Sequence, residues 1–139
     1  MLDQAEYLRW MGSAERTLNS VLGDIERGDY NWACFKAQQA AEAAVKALSH
    51  GLGLPSYGHS VSRLIRLLVS KGVEATEDVL RSAMALDKLY VPTRYPNAWT
   101  EGMPHEYYSK VDAEEALKHA CRIVRWVRRT WSSLESGEG

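Results

Sequence analysis

Apolar residues in this chain recur every three or four positions over long stretches, which is the repeat of one face of an α-helix. Nowhere do they alternate for long enough to build a strand. Leu8, Met11, Ala14, Leu18, Leu22 and Ile25 form a first stripe, broken at Gly28 and Asp29. A second helix is expected from near Asp29 or Asn31 to about His50, on Ala33, Ala37, Ala40, Ala44 and Leu48. Alanine favours the helix and presents a thin surface, so a neighbouring helix can approach closely. Gly51, Gly53, Pro55 and Gly58 mark a connector. Ser60 then caps a short helix carrying Val61, Leu64, Ile65 and Leu68, closed by Lys71 and Gly72. Thr76 caps a fourth, with Glu77 and Asp78 in its first turn, Val79, Ala83, Leu86 and Tyr90 as its stripe and Pro92 as its stop. Asp112 and Glu115 have the spacing of a capping box at the start of the last helix. Its stripe is Ala113, Ala116, Ala120, Val124, Val127, Trp131 and Leu134. The pattern predicts an all-α fold, an antiparallel four-helix up-and-down bundle with an additional short helix. One domain is expected over residues 1–139, with its core over about 3–131 and a frayed tail at 132–139.

Several classes of function fall away. No apolar run is long enough to span a membrane, and the first ten residues lack the charged and apolar regions of a secretory signal, so a cytoplasmic location is expected. The formal net charge of −1 leaves a nucleic-acid partner dependent on a local basic patch. Cys34 and Cys121 both sit in apolar helical patterns and read as buried free thiols. Glu115 and His119 are four apart with no second pair, and neither a phosphate-binding glycine loop nor a nucleophile elbow occurs, so no metal and no cofactor are expected.

The segment "LYVPTRYPNAW", residues 89–99, fits no regular element. Pro92 and Pro96 stiffen it and push their preceding residues out of the helical region, so Thr93, Arg94 and Tyr95 are expected to be extended. Arg94 offers a planar fork of donors suited to phosphate, and Tyr90, Tyr95, Trp99, Tyr107 and Tyr108 offer faces on which bases can stack. His105, the only histidine between Leu89 and Lys110, is a residue type suited to proton transfer. An arginine and a histidine suffice in principle for RNA cleavage without a metal. A structural role competes: Arg94 would pair with Asp87 or Glu42, and the tyrosines would seal the end of the bundle.

Helix two carries an unusual polar face with Lys36, Gln38, Gln39, Glu42 and Lys46, either solvated or lining a cleft or subunit contact. Lys118, Arg122, Arg125 and Arg129, with Arg128 beside them, either track a nucleic-acid backbone or complement the helix dipole opposite Glu114 and Glu115. His59 is expected to make a local hydrogen bond, and His50 and His119 to lie at the surface.

Three stretches together resemble the HEPN family of small helical domains: "DYNWACFKAQQAAEAAVKALSHGLG", "GHSVSRLIRLL" and "LDKLYVPTRYPNAW". The last is similar to the L-D-x-x-Y-x-x-T-R-Y-P-D/N segment of the family's prokaryotic branch. The resemblance implies a helical bundle that dimerises and binds nucleotide or RNA. It also implies a minimal nucleotidyltransferase partner, as in toxin–antitoxin pairs. Carried onto this chain, the nucleotide-binding set is Arg94, Tyr95, Asn97, Lys46, Glu42, Asp87 and Tyr90, with Arg94 and His105 as the catalytic candidates. Catalytic members of the family place a histidine after four to six residues from the arginine. Here Trp99, Thr100 and Glu101 occupy those positions and His105 stands eleven residues on. The resemblance therefore implies a binding role first, a metal-independent ribonuclease toxin second, and a non-catalytic helical interaction protein third.

Overall fold

The computed structural model describes residues 1–138, and among these there are five α-helices and no strand. Helix α1 spans Gln4–Arg27, α2 Tyr30–Gly51, α3 Val61–Ser70, α4 Glu77–Asp87 and α5 Lys110–Glu138. Two short 3₁₀ turns, Pro96–Ala98 and Pro104–Tyr107, punctuate the long α4–α5 connection. α1, α2 and α5 are the long members of the helical bundle. α4 packs chiefly on α5, and the short α3 fills the space between α2 and α4.

α2 is the central element. Ala33, Ala37, Ala40, Ala41, Ala44, Val45, Ala47 and Leu48 are fully buried, so helices crowd it on most sides. Alanine makes that possible, because only a methyl group separates the backbones. Gly51 closes α2 where the indole of Trp131 passes. That ring stacks on Tyr7 with centroids 4.1 Å apart and planes 5° from parallel, joining α1 to α5.

Two local expectations are corrected. On α1 the buried face runs through Tyr7, Met11, Ala14 and Val21, whereas Leu8 and Leu22 are more than half exposed. Both faces step by three or four residues, and packing against α2 selects the one whose period tracks the crossing. At the start of α5, Ser109 occupies the cap position: its Oγ accepts from the Asp112 amide at 3.2 Å. Asp112 Oδ2 reciprocates, accepting from the Ser109 amide at 2.8 Å. The box thus begins one turn earlier than Asp112 and Glu115 suggested. α5 runs on to Glu138, and Leu134, the last residue of its expected stripe, packs against the core. Gly139 lies outside the described residues.

The caps of α3 and α4 follow the expected chemistry. Ser60 Oγ accepts from the Arg63 amide at 3.2 Å, and Thr76 Oγ1 from the Val79 amide at 3.3 Å. No helix of the described residues is long and apolar enough to cross a membrane.

Candidate functional site

Beyond α4 Tyr95 is extended, as expected before Pro96, but Thr93 and Arg94 are not. The Arg94 and Tyr95 amides donate back to the Val91 carbonyl at 3.2 and 3.3 Å, so residues 91–95 form a helical turn. Proline is compatible with the first position of such a turn, which is why Pro92 does not impose the extended geometry expected of it. Side chains take over carbonyls of the stretch that follows α4. Thr93 Oγ1 donates to the Leu89 carbonyl at 2.7 Å, and Arg94 Nε and one terminal nitrogen donate to the Tyr90 carbonyl at 3.0 and 2.7 Å. Asn31 Nδ2 of α2 donates to the Thr93 carbonyl at 3.0 Å inside the protein, fastening the turn to the central helix. Trp99 Nε1 donates to the Pro92 carbonyl at 2.7 Å, which ties down the following stretch.

This anchoring holds the Arg94 guanidinium among three aromatic rings. Its Cζ lies 4.0 Å from the centre of Phe35, 4.7 Å from Tyr90 and 4.9 Å from Tyr95. Neither Asp87 nor Glu42 reaches it, and among the described residues no carboxylate pairs with it. Two donations to one carbonyl leave other guanidinium donors open. The result is a fixed, partly exposed cation with no countercharge.

Tyr90 links this cation to a second cluster. The His59 ring stacks on it with centroids 4.4 Å apart and planes 15° from parallel. His59 Nδ1 lies 3.2 Å from Glu42 Oε1, and Glu42 also accepts from Lys46 Nζ at 3.1 Å and from Gln38 Nε2 at 3.2 Å. Gln38 Nε2 further donates to the His59 carbonyl at 2.9 Å, so α2 grips the imidazole by its ring and its backbone. Glu42 is 7 % exposed. A carboxylate buried that deeply needs such partners, because desolvation without them is expensive.

Of the residues singled out in the sequence, Arg94, Tyr95 and Tyr90 are therefore contiguous, and Tyr90 joins them through His59 to Glu42 and Lys46. Asp87 serves elsewhere, accepting from the Ser60 hydroxyl and from the amides of Val61 and Ser62 at the start of α3. Asn97 is exposed on the first 3₁₀ turn. His105 is exposed on the second and, among the described residues, has no hydrogen bond or ion pair and no contact with Arg94. Nearby aromatics pack on each other instead: Trp99 stacks on Tyr107 at 4.0 Å and meets Tyr108 edge-on at 5.8 Å. Burial pushes the Tyr108 hydroxyl up to about 12.

Sequence reasoning missed Phe35 and undervalued His59 and Gln38. Phe35 is the sole phenylalanine and lies off the alanine stripe, a signal in itself. The bond of His59 is not local: its partner is seventeen residues away on α2. On α5, Arg122 donates to Ser82 Oγ at 3.0 Å and the basic stripe is otherwise exposed. A hollow of about 1220 Å³ lies between the α3–α4 connector and α5 against Leu52, Leu54, Val73 and Trp126. It contains none of these site residues, and size alone gives it no chemistry, so the Arg94 cluster is the stronger candidate.

The HEPN domain family model matches residues 7–130 of the chain. Among solved structures, the fold is similar to that of TT1696 from Thermus thermophilus, at 41% identity and a TM-score of 0.86 over 89% of this chain and 97% of that one. It is also similar to ST0689, described as an archaeal HEPN homologue, at 40% identity and a TM-score of 0.74 over 88% and 94% of the two chains. A HEPN domain protein of Thermotoga maritima matches at 35% identity with a TM-score of 0.73, over 89% of this chain and 98% of its own. A search of curated proteins finds no match.

Proposed function

The chain belongs to the HEPN domain family, and from that premise we propose that it binds a nucleotide or RNA through Arg94. One observation carries the reading: a guanidinium fixed by two hydrogen bonds and three aromatic rings, with no acidic partner among the described residues. A cation held this way has given up its freedom before a ligand arrives, so little entropy remains to be lost on binding phosphate. Tyr95, 47 % exposed, and Trp32, 45 % exposed and edge-on to Phe35, supply faces for a base beside it. Lys46 adds positive charge behind Glu42. Asn97 contributes from the neighbouring turn, and Asp87 supports the site by holding the start of α3. The protein works as a homodimer together with a minimal nucleotidyltransferase, as one half of a toxin–antitoxin module in the cytoplasm.

The test is titration of the purified protein with nucleoside monophosphates and short RNA. Arg94→Ala should weaken binding about tenfold or more, the scale of a charge-assisted contact. Arg94→Lys should recover part of the loss while breaking the paired geometry. Binding that survives Arg94→Ala, or its absence from the parent protein, would defeat the reading. Light scattering checks the dimer, and co-purification with the product of an adjacent reading frame checks the partner.

A second reading, metal-independent RNA cleavage, gains support from the His59–Glu42 pair. Glu42 holds Nδ1 and leaves the imidazole, 54% exposed, beside the Tyr90–Arg94 contact. In that reading His59 moves the proton that His105 was first expected to move. Loss of RNA cleavage in His59→Ala but not in His105→Ala would support it, and the reverse result would restore His105.

A further inference from the structure

Phe35 has a second neighbourhood. Besides lying under Arg94, its ring forms one wall of a groove of about 480 Å³ between α1 and α2. Ser13, Arg16 and Thr17 line the α1 side, and Lys36 and Gln39 the α2 side. Two helices packed by apolar residues would leave no such polar trough. Here the short hydroxyl side chains of α1 keep it open on the flank away from the core.

The charges in the groove do not cancel. Asp24, the buried acid at its α1 end, is already met by Arg27 and Lys36, with Lys36 Nζ 3.0 Å from Oδ2 and 3.0 Å from Ser20 Oγ. Glu15, next to Arg16 in the chain, is drawn to Arg128 of α5 at 2.9 Å. Arg16 itself has no hydrogen bond or ion pair among the described residues, and neither Arg16 nor Arg94 has a carboxylate to satisfy it. Thr17 Oγ1 donates to the Ser13 carbonyl at 2.9 Å and Gln39 Nε2 to Gln38 Oε1 at 2.7 Å, so what the groove leaves open among the described residues, beside the Phe35 wall it shares with the neighbouring cation, is the Arg16 guanidinium and the Ser13 hydroxyl. That is the donor set of a phosphodiester backbone path, sequence-independent and charge-driven.

We propose that the α1–α2 groove is a second phosphate subsite, and that the ligand is a single-stranded oligoribonucleotide running from Arg94 past Phe35 to Arg16. This rests on the reading of Arg94 above and narrows it from a nucleotide to a strand. A mononucleotide reaches Arg94 alone, whereas a longer strand engages both cations. Affinity should therefore rise with length until the groove is occupied.

The experiment compares uridine monophosphate with hexauridylate on the full chain, for the parent protein and for Arg16→Ala, Arg94→Ala and Arg81→Ala. Arg81 lies on exposed α4, paired with Glu77, and serves as the charge-matched control. The expected result is tighter binding of hexauridylate by the parent, with Arg16→Ala cutting the ratio of hexauridylate to monophosphate affinity about tenfold. In Arg16→Ala the logarithmic salt slope of hexauridylate binding should also flatten by about 0.7 for each phosphate that is no longer neutralised. Arg81→Ala should follow the parent. If hexauridylate binds no better than the monophosphate, or Arg16→Ala leaves the ratio intact, the groove is overturned. The Arg94 site then still stands, provided Arg94→Ala abolishes monophosphate binding. If neither ligand binds the parent, the Arg94 reading fails and the groove proposal fails with it.

Discussion

Asp87 Oδ1 accepts a hydrogen bond from the Val61 amide at 2.6 Å, so the last residue of α4 caps the first residue of α3. The same carboxylate accepts from the hydroxyls of Ser60 and Ser62 and from the Ser62 amide. A helix start leaves amides without partners and carries partial positive charge, so an acid there is doubly favoured. Asp87→Ala should lower stability by about 2 kcal/mol in urea denaturation. A loss of ligand binding without a loss of stability would show instead that Asp87 belongs to the binding surface.

Gly51→Ala ought to improve helix propensity by up to about 1 kcal/mol, yet it should destabilise. A Cβ at that position would run into two ring carbons of Trp131, the farther one at 2.7 Å, and would sit 3.1 Å from Tyr7 Cβ. A stacked indole cannot step aside cheaply, and overpacking costs about 1–3 kcal/mol. Thermal melting should show a net fall, and a rise would mean that the Tyr7–Trp131 stack yields more easily than its packing implies.

The two cysteines should separate in thiol labelling. Burial, with the Asp112 charge adding to it, pushes the Cys34 thiol up to about 12, whereas Cys121 is only partly buried. The thiolate is the reactive form, so at mildly alkaline pH Cys121 should label first and Cys34 only at the rate of unfolding. Equal labelling rates under native conditions would contradict the packing around α2.

Acid should weaken the α4–α5 contact through His119. Ser82 Oγ lies 2.9 Å from its Nδ1, while burial, then the Arg122 charge, lower its pKa against the opposing pull of Glu115. The unfolded chain therefore binds this proton at higher pH than the folded one. The contribution to stability is complete above the ordinary histidine range near 6.5 and is lost as pH falls through that range toward the lowered folded value. Denaturation midpoints measured from pH 7.5 to 5 should fall less in His119→Gln than in the parent. An identical slope in both would remove His119 from the account.

Helix number, order and most boundaries could be read from residue spacing because a helix is a local object. Its period, caps and breakers lie within a few residues of one another, and Ser60, Thr76 and Gly72 signal it without knowledge of the fold. The irregularity of the segment around Arg94 was likewise visible, since two prolines and a run of aromatics around an arginine are unusual inside a bundle. Tertiary packing alone determined which of two similarly spaced faces of α1 turned inward, Tyr7 and Val21 rather than Leu8 and Leu22. It also determined which histidine stands beside Arg94. His59 and Arg94 are thirty-five residues apart in the chain, and only the packing of α2, α3 and α4 brings both to Tyr90. Composition could not show that Asp87 meets the start of α3, because a carboxylate looks the same whether it faces a ligand or a helix start. Which of the two it faces depends on where α3 lies, and that depends on burying Leu64, Ile65 and Leu68 against the rest of the core.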